Sequence, residues 1–329
     1  MTVTLQPAAS LLLIVRDEPL DRLERLLDGL AAQRGVGALE LLIGAPVSEH
    51  DRLGTLCTSG VVGRVVLVDN PTGARSAGLN RLVEVATAPV VVRVDARSRP
   101  PEDYVARCLA RLDAAPGIGV VGAIQRPATA RPDVRSRGIT RALGNPWLLG
   151  GARYRRSGGG GPADTAYLGA FRRDELRVLG GYDERLDANE DFELCARYRS
   201  AGAAVWVEPG LEVAYEPRQT YRSLWRQYRA FGMSKVVFWR LTGRAPNARQ
   251  TAALGGAAAT AAIGVVTLVR RPASSVALIA AGVATVVIVD HVAAPAERDV
   301  RVRVAAGAAY VTVIGAWISG IARALVRVR

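Results

Sequence analysis

Between residues 10 and 123, short apolar runs alternate with amphipathic helical patterns, and this alternation limits the chain to a sheet layered with helices. The run SLLLIV (10–15) is continuously apolar, as a strand covered on both faces must be. Residues 19–33 carry Leu20, Leu23, Leu26, Leu27 and Leu30, one face of a helix. Further strands are predicted at 39–43 (LELLI), 64–68 (RVVLV), 89–94 (PVVVRV) and 118–123 (IGVVGA), with helices at 74–87 and 101–114. Alternating strands and helices predict an α/β fold with a mostly parallel sheet and helices on both faces. In such sheets ligands bind beyond the carboxyl ends of the strands. Asp69-Asn70 and Asp95 follow directly on two of them.

The pattern changes over 124–163, which is rich in Arg, Gly and Pro and ends in Ser157-Gly158-Gly159-Gly160-Gly161. It reads as an excursion with a flexible loop. Order resumes at Thr165–Phe171, followed by helical patterns at 172–180 and 190–201 and a strand at 204–207. A second change comes near residue 252. The segments 252–269, 273–289 and 304–322 are apolar, each close to the ~20 residues that span a bilayer as a helix. Charges collect between them, at Arg270-Arg271 and from Asp290 to Arg303. A soluble Ala/Val-rich helical domain is the competing reading, but three uncharged stretches in succession favour the membrane. The expected organisation is a domain over 1–240, a linker over 241–251 and a membrane anchor of about three transmembrane helices over 252–329.

The formal net charge is +13, nearly all of it from Arg. The basic residues are scattered and no nucleic-acid motif accompanies them, so nucleic acid is not an expected partner. A membrane surface or a pyrophosphate fits better. Cys57, Cys108 and Cys195 form no CxxC pair, and His50 and His291 lie far apart. Reduced interior thiols are expected, and a His/Cys metal site is not. The apolar run at Leu11–Val15 is too short for a signal peptide and meets Arg16-Asp17-Glu18 at once. The first domain is therefore expected in the cytoplasm.

Three segments carry chemistry. In VVRVDARSRP (91–100) a strand delivers Asp95 to its carboxyl end. A carboxylate there can hold a divalent cation on a diphosphate, although a loop cap is the plainer reading. In LDANEDFELCARYRSAG (186–202), Glu190-Asp191 opens a helix. Acids there suit the helix dipole, and an acid so placed can also take a proton from a hydroxyl. Between them, DTAYLGAFRRDELRVLGGYDERL (164–186) forms a strand–helix unit stopped by glycines.

In this order the segments resemble family 2 glycosyltransferases of the glycosyltransferase-A fold, most closely the succinoglycan-biosynthesis-type branch. The likeness spans about residues 10–240. It rests on residues 67–109, on 167–202 and, more loosely, on RQYRAFGMSK (226–235).

The resemblance implies inverting transfer of a sugar from a nucleotide-diphosphate donor to a lipid-linked or polysaccharide acceptor. That is a role in cell-envelope polysaccharide biosynthesis at the cytoplasmic membrane. By the same analogy Asp191 is the general base with Glu190 beside it, and Asp95 binds the donor and a divalent metal, manganese or magnesium. Asp69, Gly73, Arg75 and Asn80 line the donor segment. The chain departs from the pattern in three places. The turn Ile43-Gly44-Ala45-Pro46 lacks the usual base-binding acid. Arg97 replaces the second acid of Asp-x-Asp, and there an Arg can stand in for part of a cation's charge. The usual Gln-x-x-Arg shortens to Gln227-Tyr228-Arg229. These departures support an alternative, a degenerate member acting as a membrane scaffold or partner-binding subunit. A transporter accessory is a remoter third.

Positive-inside reasoning leaves the number of crossings open. Arg244, Arg249, Arg298, Arg301 and Arg303 favour one side, but Arg270-Arg271 and Arg323, Arg327 and Arg329 would then lie on the other. A hairpin formed by the first two stretches, or a third helix held partly at the interface, would resolve the conflict. Truncation at about residue 248 is expected to release the protein from membranes on cell fractionation. A truncated chain retained as firmly as full length refutes the anchor. A C-terminal topology reporter active only in the cytoplasm refutes three full crossings.

Overall fold

The computed structural model describes residues 6–56, 60–145, 152–156, 158–246, 248, 250–251, 254–256 and 297–326. The apolar stretches 252–269 and 273–289 lie almost wholly outside the described residues, as do Cys57, Ser157 and His291. The chain forms two compact units, one of Met1–Ala128 with Gly151–Glu216, the other of Thr129–Gly150 with Pro217–Arg329.

In the first unit the elements run β1 (Ala9–Ile14), α1 (Leu20–Ala31), β2 (Leu39–Ala45), α2 (His50–Leu53), β3 (Val62–Asp69), α3 (Arg75–Val85), β4 (Val90–Val94), β5 (Ser98–Arg99), α4 (Tyr104–Ala114) and β6 (Ile118–Pro127). The second unit then contributes α5 (Val134–Gly144). The chain returns as β7 (Gly161–Pro162), β8 (Tyr167–Arg172), α6 (Arg173–Val178), α7 (Glu190–Ser200) and β9 (Ala204–Tyr215). It ends in the second unit with α8 (Tyr221–Thr242) and α9 (Val300–Val326).

The sheet runs β3-β2-β1-β4-β8-β6-β9-β5. The first four strands are parallel, β8 lies antiparallel between β4 and β6, and β9 runs parallel to β6. Side chains alternate between two cores. Leu11 and Leu13 of β1 with Val90, Val92 and Val94 of β4 meet α1 and α4 on one face. Leu12 and Val91 meet α3, α6 and α7 on the other. A strand apolar on both sides reads as an unbroken run, which is why β1 was legible, and β4 shares that run up to Arg93.

The helices follow from their apolar faces. Leu23, Leu26, Leu27 and Leu30 of α1 are buried, at the spacing the sequence carries. Cys108 and Cys195 are free and buried, and burial pushes each thiol up to about 12.

Two segments differ from the sequence reading. The stretch expected as a loose excursion extends β6 to Pro127 and forms α5 over Val134–Gly144, capped by the Asp133 carboxylate accepting the Ser136 N–H at 2.9 Å. Gly138 makes α5 a poor helix by propensity. It lies against Ala305 and Ala306 of α9, where a Cβ would come within 2.5 Å of the Ala305 Cβ, so packing overrides propensity. The second difference is the last strand, expected to stop at 207. Pro209-Gly210 bulges out of the β6 ladder, and pairing resumes at Ile124↔Glu212, the kind of place where a sheet tolerates Pro.

In the second unit, α9 packs on α8 and α5 through small residues. A Cβ on Gly232 would lie 2.1 Å from the Trp317 carbonyl, and one on Gly320 would lie 2.2 Å from the Arg229 carbonyl. Among the described residues α9 is the one helix long and apolar enough to cross a bilayer, and half of its most apolar window is buried.

A buried carboxylate ties the amino ends of the parallel strands together. Glu40 on β2 is 1% exposed. It accepts from the Ser10 hydroxyl, the Thr87 N–H at 2.6 Å and the Thr87 hydroxyl at 2.9 Å. Burial opposes its charge, but these donors outweigh burial and hold the carboxyl below its ordinary range. A lowered folded-state pKa stabilises above the unfolded value and is lost as pH falls through the folded one. Glu40→Gln is expected to cost about 1–3 kcal/mol at pH 7 and progressively less toward pH 3, measured by urea unfolding at each pH.

Candidate active site

The site is assembled at the carboxyl end of the parallel strands, where β4 releases Asp95 and α3 and α7 begin. Asp95 starts a tight turn. Its carbonyl accepts the Ser98 N–H at 2.8 Å and the Ser98 hydroxyl at 2.6 Å. Two residues earlier, Arg93 points into the α3/α7 face of the sheet. Its Nη1 donates to Glu190 Oε1 at 3.0 Å, while Nε and Nη2 each lie 3.4 Å from Asp95 Oδ1. Glu190 is 2% exposed and also meets Arg75 Nη1 at 3.5 Å. Burial alone would make Arg93 easier to deprotonate, but Asp95, Glu190 and Asp191 outweigh it and keep the guanidinium charged.

Asp191 is the less buried of the adjacent acids. Its Oδ1 accepts the Phe192 N–H at 2.7 Å. Burial first, then the Glu190 charge, raises its carboxyl above the ordinary range, with Arg93 and Arg75 pulling the other way. The residue before this pair, Asn189, has φ 63. Asn is among the few non-glycine residues that adopt that conformation readily, and it turns the chain into α7.

The 70–75 segment is held by α3 and by the loop before α7. Gly73 has φ 61 and closes a turn onto the Asn70 carbonyl at 2.9 Å. The Arg75 N–H, at the start of α3, donates to Asp187 Oδ1 at 2.9 Å, and Arg16 pairs with the same oxygen. Burial disfavours the Asp187 charge, but Arg16 and the Arg75 N–H hold its carboxyl below the ordinary range. Asn80 donates to the Tyr182 carbonyl at 2.9 Å and to Glu184 Oε1 at 3.0 Å, and accepts the Tyr182 N–H at 2.7 Å. Its amide is therefore committed to the GGYDE loop. Asp69 ends β3, and its Oδ1 is buried without a hydrogen-bond partner among the described residues. Arg97 turns toward the α1 side, with Nη2 3.5 Å from Glu18 Oε2.

The structure thus brings Asp95, Arg75, Glu190 and Asp191 into one cluster, with Gly73 and Asn80 shaping the segments around it. Gln227 and Arg229 lie on α8 in the second unit. Arg93 was not singled out from the sequence. The available signal was a charge inside the otherwise apolar strand VVVRV.

The described residues contain no group of three His, Cys, Asp or Glu placed to hold a metal. The Asp95 side chain is about one-third exposed. Its set of donors does not make a resident metal cage. It does fit a cation carried mainly by diphosphate oxygens, which needs one protein carboxylate.

No family model matches the chain, and no curated protein matches it. Among solved structures it is similar to the mannosyltransferase PcManGT from Pyrobaculum calidifontis, solved in complex with GDP-Man and Mn2+. The TM-score is 0.62 at 16% identity, over 99% of this chain and 89% of that one. At that identity the likeness is one of fold. The mixed α/β architecture with a C-terminal apolar helix is accordingly glycosyltransferase-like.

Proposed function

We propose that the chain is an inverting glycosyltransferase that moves a sugar from a nucleotide-diphosphate donor to a lipid-linked or membrane-proximal glycan acceptor. The observation that carries this reading is the convergence of Asp95, Glu190 and Asp191 at the carboxyl edge of the sheet. Stability alone gives little reason to gather three acids there, since buried ion pairs are seldom more stabilising than apolar packing. The similar fold of a protein solved with GDP-Man supports a nucleotide-sugar donor. A place in the succinoglycan-type branch is part of the same proposal.

Each residue has a role. Asp191, partly exposed and with raised proton affinity, takes the proton from the acceptor hydroxyl as that oxygen attacks the anomeric carbon. A single displacement on the face opposite the leaving group inverts the configuration. Glu190, buried between Arg93 and Arg75, fixes the start of α7. Asp95 faces the diphosphate. A divalent cation bound there, manganese or magnesium, would offset the charge developing on the departing nucleotide. The unpartnered oxygen of Asp69 suits a hydroxyl or N–H of the nucleoside. The scaffold reading draws on Arg97, whose pairing with Glu18 leaves Asp95 the sole acid of the Asp-x-Asp pattern. The cluster of acids weighs against it.

A thermal-shift screen against nucleotide sugars, with and without manganese, tests donor binding. Asp95→Ala is expected to weaken that binding and its response to manganese. Wild type that binds donor equally well in chelator removes the metal. Asp191→Asn is expected to lower transfer by about 10²–10⁴-fold with donor binding nearly intact, and near-wild-type turnover would sink the base assignment. The acidic limb of the kcat/KM profile is expected above the ordinary carboxylate range, because Asp191 must be ionised to act. Glu190→Gln removes a negative neighbour and is expected to move that limb to lower pH.

A further inference from the structure

Arg93 is the one charged residue of β4. It pairs in register with Leu12 of β1, and its neighbours on the same face, Leu12 and Val91, are apolar. A guanidinium there has lost nearly all its water, with 10% of the side chain exposed. An apolar residue of similar length would pack at that position with no desolvation cost. The charge needs another reason, and its contacts supply one. It reaches Asp95 at 3.4 Å and Glu190 at 3.0 Å, two acids from elements far apart in sequence.

We infer that Arg93 is a positioning residue, a planar fork that locks the donor-side acid Asp95 to the Glu190–Asp191 start of α7. The inference rests on the glycosyl-transfer reading, since it gives the two acids partners in one reaction. Arg suits the task where Lys does not. Three of its nitrogens take part, two toward Asp95 and one toward Glu190, and the rigid plane fixes the angle between the two carboxylates. Around the start of α7 lie Arg75 from α3, Asp187 of the preceding loop paired with Arg16, and the buried, neutral Tyr182 and Cys195. Arg75 reaches Glu190, whereas Arg93 spans both Glu190 and Asp95. Misplacing reacting groups by about 1 Å costs on the order of 10²-fold in rate.

The test compares Arg93→Lys and Arg93→Met with wild type in the full-length protein, reading melting temperature, folded fraction, kcat and donor KM. Wild type comes first. If it transfers no sugar from any nucleotide donor, the glycosyl-transfer reading falls and this role falls with it. Given wild-type turnover, Arg93→Met is expected to lower the melting temperature, because Glu190 is left buried without its closest cation. Arg93→Lys is expected to recover most of that loss, because the charge returns. Both are expected to lower kcat per folded molecule on the order of 10²-fold, with a smaller change in donor KM. A purely structural Arg93 gives a different result, in which kcat per folded molecule stays within about twofold of wild type in Arg93→Met or is fully restored in Arg93→Lys. Either outcome overturns the positioning role and leaves the transferase reading standing.

Discussion

The 3.0 Å contact between Arg93 and Glu190 joins residues 97 apart in sequence, and the rest of the candidate site is arranged around it. Glu190 opens α7, so fixing its carboxylate fixes the first turn of that helix and with it Asp191. Arg93 is the penultimate residue of β4, a strand laddered to β1 through Arg93 itself and to β8 through Val90, Val91 and Val92. The sheet thus supplies a rigid reference, and one guanidinium transmits it to the acid that opens α7. A second link, from the Arg75 N–H and Arg16 to Asp187, ties the start of α3 to the same loop. Asn80 ties the preceding GGYDE turn. Three polar clamps, on elements that the two cores hold in place, make a site of segments that have little regular structure of their own.

These clamps also explain how adjacent acids can differ. Glu190 and Asp191 share a helix end and a dipole, yet Glu190 is enclosed by two guanidinium groups, whereas Asp191 has an N–H and the edge of solvent. Burial and the neighbouring Glu190 push the Asp191 carboxyl toward its neutral form.

What the sequence made legible divides along physical lines. β1 carries an unbroken apolar run because both its faces are buried. β2 and β4 are interrupted by one buried charge each, Glu40 and Arg93. The edge strand β3 keeps an apolar run from Val65 to Val68 although half-buried. α1 carries its Leu spacing because one face is buried. The acids at 95, 190 and 191 were legible by position, directly after a strand or at the start of a helix. Arg93 was not, because a pattern reading treats a lone charge in a strand as noise, and only its partners at Asp95 and Glu190 give it meaning. Asn80 was read as part of the donor segment, while its three hydrogen bonds go to Tyr182 and Glu184, a long-range pairing that no local pattern carries. α5 was missed for a related reason. Its Arg and Gly content argues for a loop, and the case for a helix lies in Ala305 and Ala306, about 160 residues later by the numbering.

The second unit shows the same dependence on distant partners in apolar form. Gly232 and Gly320 let the backbones of α8 and α9 approach closely enough that any side chain would strike a carbonyl. Close backbone approach through small residues is the way helices associate where hydrophobic exclusion cannot drive them together. It occurs in soluble proteins too, so packing alone does not assign α9 to a bilayer. The distribution of its outer residues adds to the case. Val304, Val311, Ile314 and Leu325 are exposed, with Arg301 and Arg303 before the apolar stretch and Arg323 near its end. An apolar outer stripe bounded by Arg at both ends suits a helix whose middle meets hydrocarbon and whose ends meet headgroups.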